Sequence, residues 1–157
     1  MEIKRTLASD ATPFNLGAFV AARPLVHEPR KMRIMVVDDN AVNRRLFGAF
    51  VTAHGQCELV HTSIDGLAGM SAVSEHKPDI VLSDLHMPNA SGLDLLRHIK
   101  REHPSIEVII ISGEANPVER DKVMQAGAHA VLQKPINLVD FHAAIDSARA
   151  HYESNQV

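Results

Sequence analysis

From Met32 onward, short runs rich in Val and Ile alternate with longer stretches whose apolar residues recur every three to four positions. Met32–Val37 reads as a strand ending in Asp38-Asp39-Asn40. Asn40 can cap a helix to about His54, with Val42, Leu46, Phe47, Phe50 and Val51 as its apolar face. Gly55 ends that helix. Cys57–Thr62 alternates and is less apolar, as befits a strand near a sheet edge. A helix follows Asp65-Gly66 and runs to about His76, and Pro78–Ser83 forms the third strand. Met87–Ser91 is a loop, and Ser91 caps a helix to about His103. Ile106–Ile111 is a nearly unbroken apolar strand. A helix covers about Pro117–Ala126 and ends at Gly127. Ala130–Gln133 is a fifth strand, and Asn137 starts a last helix to about His151.

Five β/α units in about 120 residues predict an α/β fold. Apolar runs such as Val108–Ile111 suit parallel strands covered on both faces. Right-handed crossovers then give a doubly wound parallel sheet of five strands, and if its order is the flavodoxin-like 2-1-3-4-5, strands one and three are neighbours.

The polar residues that stand out follow strand ends: Asp38 and Asp39 after the first, Asp84 after the third, Ser112 after the fourth, Lys134 after the fifth. In an open parallel sheet the carboxyl ends of the strands form one rim, where ligands bind. With strands one and three adjacent, three carboxylates converge there. Crowded carboxylates raise one another's pKa, and a hard divalent cation relieves them. Mg²⁺ takes few carboxylates, waters and a phosphate oxygen. An Asp beside a metal, a hydroxyl and a lysine is equipped to accept a phosphoryl group, with Asp84 as nucleophile.

The local text is specific. Val36-Val37-Asp38-Asp39-Asn40, Asp84-Leu85-His86-Met87-Pro88 with Gly92 four residues on, Ile110-Ile111-Ser112-Gly113, and Gly127-Ala128 with Leu132-Gln133-Lys134-Pro135 occur in order. This set resembles the receiver domain of two-component response regulators, a CheY-like fold, over about residues 32–152. The resemblance implies that Asp84 is phosphorylated from a partner's phosphohistidine. It implies Asp39 as a direct Mg²⁺ ligand, Asp38 as a ligand directly or through water, and Asp84 and the backbone carbonyl of His86 as further ligands. Ser112, followed by Gly113, matches the switch hydroxyl that moves onto the phosphoryl group, and Lys134 the lysine that pairs with it. The Lys134–Pro135 peptide is expected to be cis. His86 and Glu114 border the water's approach to the phosphorus; if they pair, dephosphorylation should speed up between about pH 6 and 8. Where the family often has Tyr or Phe, this chain has Val131. That leaves the phosphorylation chemistry untouched but removes the ring that usually reports movement of Ser112.

The implied function is a single-domain, cytoplasmic response regulator. It would take its phosphoryl group from a histidine kinase or histidine phosphotransfer protein and signal by contact with a downstream protein. Val42-Asn43-Arg44-Arg45 also looks like receivers of phosphorelays, which return the phosphoryl group or act as a phosphate sink. An Asp-nucleophile phosphohydrolase of similar topology would place a second Asp where His86 stands, so a phosphoacceptor is favoured over an enzyme.

Composition narrows the partners. The net charge of -3 and pI near 6.3 give no global basic field for nucleic acid. No uncharged apolar stretch approaches the ~20 residues that span a bilayer. The single cysteine, Cys57, excludes an intrachain disulfide and fits a reduced compartment. The ten histidines show no His-Glu-x-x-His pattern, and all but His86 read as surface residues. Residues 1–31 differ in texture, with three prolines and five basic against three acidic residues. They read as a flexible leader or a docking segment, with Leu16, Phe19, Val20 and Arg23 at helical spacing. Lys4, Arg5 and the uncharged run Ala11–Ala22 mimic a secretory signal, but Pro13, Asn15 and Gly17 interrupt it. The domain is expected over 32–152 with a tail at 153–157, and a chain starting at Met32 would lose nothing from the core.

Overall fold

Alternate residues of a strand point to opposite faces, and here both faces are apolar. A computed structural model describes residues 29–157; the readings placed on 1–28 lie outside them. The elements run β1 (Met32–Val37), α1 (Ala41–Ala53), β2 (Cys57–Ser63), α2 (Gly66–His76), β3 (Ile80–Asp84), α3 (Gly92–Glu102), β4 (Glu107–Ser112), α4 (Pro117–Gln125), β5 (Ala130–Gln133) and α5 (Leu138–Ser154). The strands form one parallel sheet in the order β2-β1-β3-β4-β5. The expected fold and strand order are therefore present.

Met35, Val37, Val81, Val108, Ile110 and Val131 face one side, where they pack against Val73, Leu95, Leu96, Ile99 and Val123 of α2, α3 and α4. Ile34, Val36, Ile80, Leu82, Ile109 and Ile111 face the other, against Phe47 and Val51 of α1 and Phe141, Ile145 and Ala148 of α5. Phe47 and Phe141 stack with ring centroids 5.7 Å apart, joining α1 to α5. Each such aliphatic or aromatic side chain contributes roughly 1.5–3 kcal/mol on burial.

The helices start where short polar side chains cap them, Asn40 and Ser91 as expected and Asp65 in addition. Asn40, Asp65, Ser91 and Asn137 all accept backbone N–H groups of the first turn. Asn116 adds a fifth cap, forming a reciprocal box with Glu119 ahead of α4.

Several boundaries and burials differ from the sequence reading. β3 begins at Ile80, not Pro78, since proline has no N–H to give a ladder. α5 continues to Ser154, past both the expected end at His151 and the domain limit at 152; Arg149 and Glu153 pair across one turn at 3.0 Å. Val42 and Leu46 are 72% and 42% exposed, so the core face of α1 is narrower than the apolar spacing indicates. Nor are the histidines all at the surface. The His54 side chain is 11% exposed, that of His129 16%, and His142 bonds the Phe50 carbonyl at 2.6 Å. Arg30, assigned to the leader, already belongs to the domain. Its guanidinium grips both oxygens of buried Asp79 at 2.7 and 3.0 Å, so starting at Met32 would spare the apolar core but lose this bond. Among the described residues no helix is long and apolar enough to cross a membrane.

Candidate functional site

The carboxyl ends of β1, β3, β4 and β5 bring the candidate residues to one rim. Asp38 directly follows β1 and is 1% exposed. Its carboxylate accepts hydrogen bonds from the Asn40 N–H at 2.8 Å, from Asn43 Nδ2 at 3.3 and 3.4 Å and from Lys134 Nζ at 3.0 Å. Arg44 clamps its backbone carbonyl at 2.9 Å. Asp39, next in the chain, is exposed.

Asp84 ends β3, and its side chain is 11% exposed. One oxygen accepts the Leu85 N–H at 2.8 Å and lies 3.4 Å from Lys134 Nζ. Burial pushes the Asp84 carboxyl above its ordinary pKa, Lys134 opposes this, and Asp38 reinforces it. One carboxylate oxygen from each of Asp38, Asp39 and Asp84 lies within 4.8 Å of the others. These are oxygen donors with no imidazole or thiol among them, a set that fits a hard divalent cation such as Mg²⁺.

Ser112 ends β4, one residue beyond Ile111, the register partner of Asp84. It is buried, and among the described residues its hydroxyl accepts one long 3.4 Å bond, from the Glu114 N–H. The Lys134 N–H donates to the Ser112 carbonyl at 2.9 Å, so the β4–β5 pairing brings the lysine back to the rim. The Lys134–Pro135 peptide is cis, as expected. A Cβ at Gly113 would meet nothing within 4 Å. Val131 is buried in the core on the α2–α4 side of the sheet.

The loop after Asp84 is held by two devices. The Gly92 N–H donates to the Leu85 carbonyl at 2.8 Å, and a Cβ on Gly92 would collide with the Asp84 carbonyl and lie 2.9 Å from the Leu85 Cα. Only glycine lets α3 start this close to the Asp84 backbone. On the other side Asn89, at φ 68°, donates its side chain to Asp65 at 2.8 Å. Asp65 also caps α2 through the Ala68 N–H; that bond and then Asn89 hold its carboxyl below the usual range.

One expected contact is absent. His86 does not meet Glu114; its Nε2 is 2.9 Å from Glu119 on α4, and Glu114 is exposed. Glu119 was available because it is the third residue of α4, where its capping box already fixes it beside the β3–α3 loop. The histidine bond, followed by the Asn116 N–H, keeps the Glu119 carboxyl below its ordinary pKa. Sequence reasoning also missed Asp65 and Asn89, which lie 24 residues apart. It missed what Asn43 and Arg44 do, although their spacing on the first turn after Asp38 carries a signal.

The model of the response regulator receiver domain matches residues 34–146. A polar-differentiation response regulator DivK from Brucella anthropi is 32% identical over 116 residues, 73% of this chain and 93% of its own length. A protein-glutamate methylesterase/protein-glutamine glutaminase from Koribacter versatilis is 34% identical over 106 residues, 66% of this chain; the match spans only 29% of that relative. A receiver domain structure from Clostridium thermocellum is 29% identical, with a TM-score of 0.73 over 78% of this chain and 97% of its own.

Proposed function

The chain belongs to the response regulator receiver domain family, and on that premise we propose that Asp84 takes a phosphoryl group from the phosphohistidine of a histidine kinase or histidine phosphotransfer protein. The observation that carries this is one lysine shared between two of three converging aspartates. Such a rim holds more negative charge than its own cation balances, and it suits a ligand that arrives with a metal.

In the transfer, an Asp84 oxygen attacks phosphorus and the P–N bond breaks. The electron pair stays on the imidazole nitrogen, which is left protonated from solvent. Asp39 and Asp38, with the His86 carbonyl, would hold Mg²⁺, which when bound neutralises charge on the transferring oxygens. Asn40 and Asn43 orient Asp38 for this, and Arg44 fixes its backbone. Gly92 keeps the Asp84 backbone in place. Lys134 lies within reach of Asp84 and can follow the phosphoryl group. The Ser112 hydroxyl, bound only loosely, can turn to the phosphoryl oxygen, with Gly113 leaving room beside it.

Exposed apolar side chains support a protein as the donor and as the target. Val42, Ile64, Leu67, Val118, Leu138 and Val139 all follow strand carboxyl ends, in the loops or first helical turns around the rim. A small-molecule substrate would not require them. The phosphohydrolase reading loses support, because His86 stands where a second acid would act and is tied to Glu119.

The test is transfer of labelled phosphate from a phosphorylated histidine phosphotransfer protein. The wild type should take the label in Mg²⁺ and Asp84→Asn should not. Return of label to added unphosphorylated partner would mark a phosphorelay intermediate; stable retention would mark a regulator that signals by contact. Equal labelling of Asp84→Asn would reject the site.

A further inference from the structure

At the opposite end of the sheet, β4 begins with Glu107, β5 is preceded by His129, and the last turns of α5 carry His151. These three were unremarkable in the sequence, being 22 residues apart from one to the next. In the fold, one ligand-type atom of each lies within 4.8 Å of the others. The Glu107 side chain is 5% exposed, and each of its oxygens addresses a different ring. His151 Nδ1 is 2.6 Å from Oε1 and His129 Nδ1 is 3.7 Å from Oε2.

We propose that Glu107, His129 and His151 form a binding site for a divalent cation of the zinc class, separate from the aspartate rim. Two imidazole nitrogens and one carboxylate are a donor set that selects Zn²⁺ and its neighbours over Mg²⁺. Two rings sharing a tetrahedral ion stand with centroids about 5 Å apart, since each centroid is about 3 Å from the metal. The rings of His129 and His151 are 5.6 Å apart and inclined at 42°. Ligand atoms around such an ion are about 3.3 Å apart, and the 2.6 and 3.7 Å contacts of the two Glu107 oxygens bracket that spacing. The other nitrogen of His129 is 2.9 Å from Ser147 Oγ, an outer-shell bond that aims Nδ1 at the site. The His151 side chain is 55% exposed, which gives an entry path and leaves a fourth position for water. Lys100 is the nearby opposing charge; its ammonium donates to the Ile106 carbonyl at 2.6 Å.

An ion here would tie the end of α5 to the amino ends of β4 and β5. Ser112 lies five positions further along β4 than Glu107, roughly 17 Å of strand, so the two sites are distinguishable by mutation. The experiment is titration of the full chain with Co²⁺ in excess Mg²⁺, following the visible absorption of tetrahedral Co²⁺ and its displacement by Zn²⁺. One equivalent should bind in wild type, Asp39→Ala and Asp84→Asn. Glu107→Gln and His151→Gln should lose it, the latter at an exposed position that leaves the fold intact. Ser147→Ala should bind about ten- to a hundredfold more weakly. Unchanged binding in His151→Gln, loss in Asp39→Ala, or no tetrahedral signal in wild type would each overturn the proposal and leave only a Glu107–His151 hydrogen bond.

Discussion

The two ends of the sheet bury acids to a similar degree and treat them in opposite ways. The side chains of Asp79, just before β3, and Asp84, at its carboxyl end, are 5% and 11% exposed. Asp79 receives two bonds from Arg30 and the Arg33 N–H at 2.8 Å. Burial pushes its pKa up, but these donors outweigh burial and hold it below the usual range. At the other end Asp38, Asp39 and Asp84 crowd together around one lysine, and the Asp84 pKa is raised. A buried acid supplied with donors fastens the fold. Asp84, with the Leu85 N–H and a lysine shared with Asp38, is short of them, which suits the proposed uptake of a cation and a phosphoryl group. What distinguishes the two ends is the supply of donors.

The contrast predicts opposite responses to removing each acid. Asp79→Ala should cost about 2–3 kcal/mol in urea unfolding, near the figure for bonds to charged groups, because exposed Arg30 can return to water. Phosphorylation should survive it. Gly92→Ala should cost roughly 1–3 kcal/mol through overpacking against the Asp84–Leu85 backbone. It should also slow phosphoryl uptake, which separates it from Asp79→Ala. Asp84→Asn should raise the stability of the metal-free protein by up to about 1 kcal/mol, the scale of an ordinary single substitution. A loss there would mean that the rim is not strained.

The pH dependence sharpens the comparison. Asp79 has a depressed folded pKa, so its stabilisation is present above the unfolded value near 3.9 and disappears as pH falls through the folded value. Asp84 has a raised one, so in metal-free protein its penalty is absent in acid and grows as pH rises from about 4 through the folded value. Urea midpoints measured across this range should lose acid sensitivity in Asp79→Asn and lose the penalty at higher pH in Asp84→Asn. The smallest effect belongs to the exposed apolar rim. Val42→Asn with Leu46→Gln should change stability by less than about 0.5 kcal/mol per site while weakening transfer from the phosphohistidine partner.

Strand positions and the residues of the rim were legible because their signals are local, while the strand order came with the family resemblance. Apolar runs mark buried strands, Asn and Ser mark helix starts, and each rim residue adjoins a strand end. Contacts between distant segments were not legible. His86 was matched with Glu114 by analogy, whereas the capping box of α4 placed Glu119 there instead. Arg30 resembled leader because its partner Asp79 lies 49 residues on. Apolar spacing alone put Val42 and Leu46 in the core, yet among the described residues no element covers them. The Glu107, His129 and His151 cluster is assembled wholly by topology, and no spacing pattern announces it.

Asp84, within the underbalanced rim, is proposed to take the phosphoryl group. Intact-protein mass measurement after incubation with a small-molecule phosphodonor tests it most directly. With Mg²⁺ the wild type should gain one phosphoryl group, with chelator almost none, and Asp84→Asn none under either condition. A full phosphoryl gain by Asp84→Asn, or one in wild type indifferent to Mg²⁺, would contradict the account.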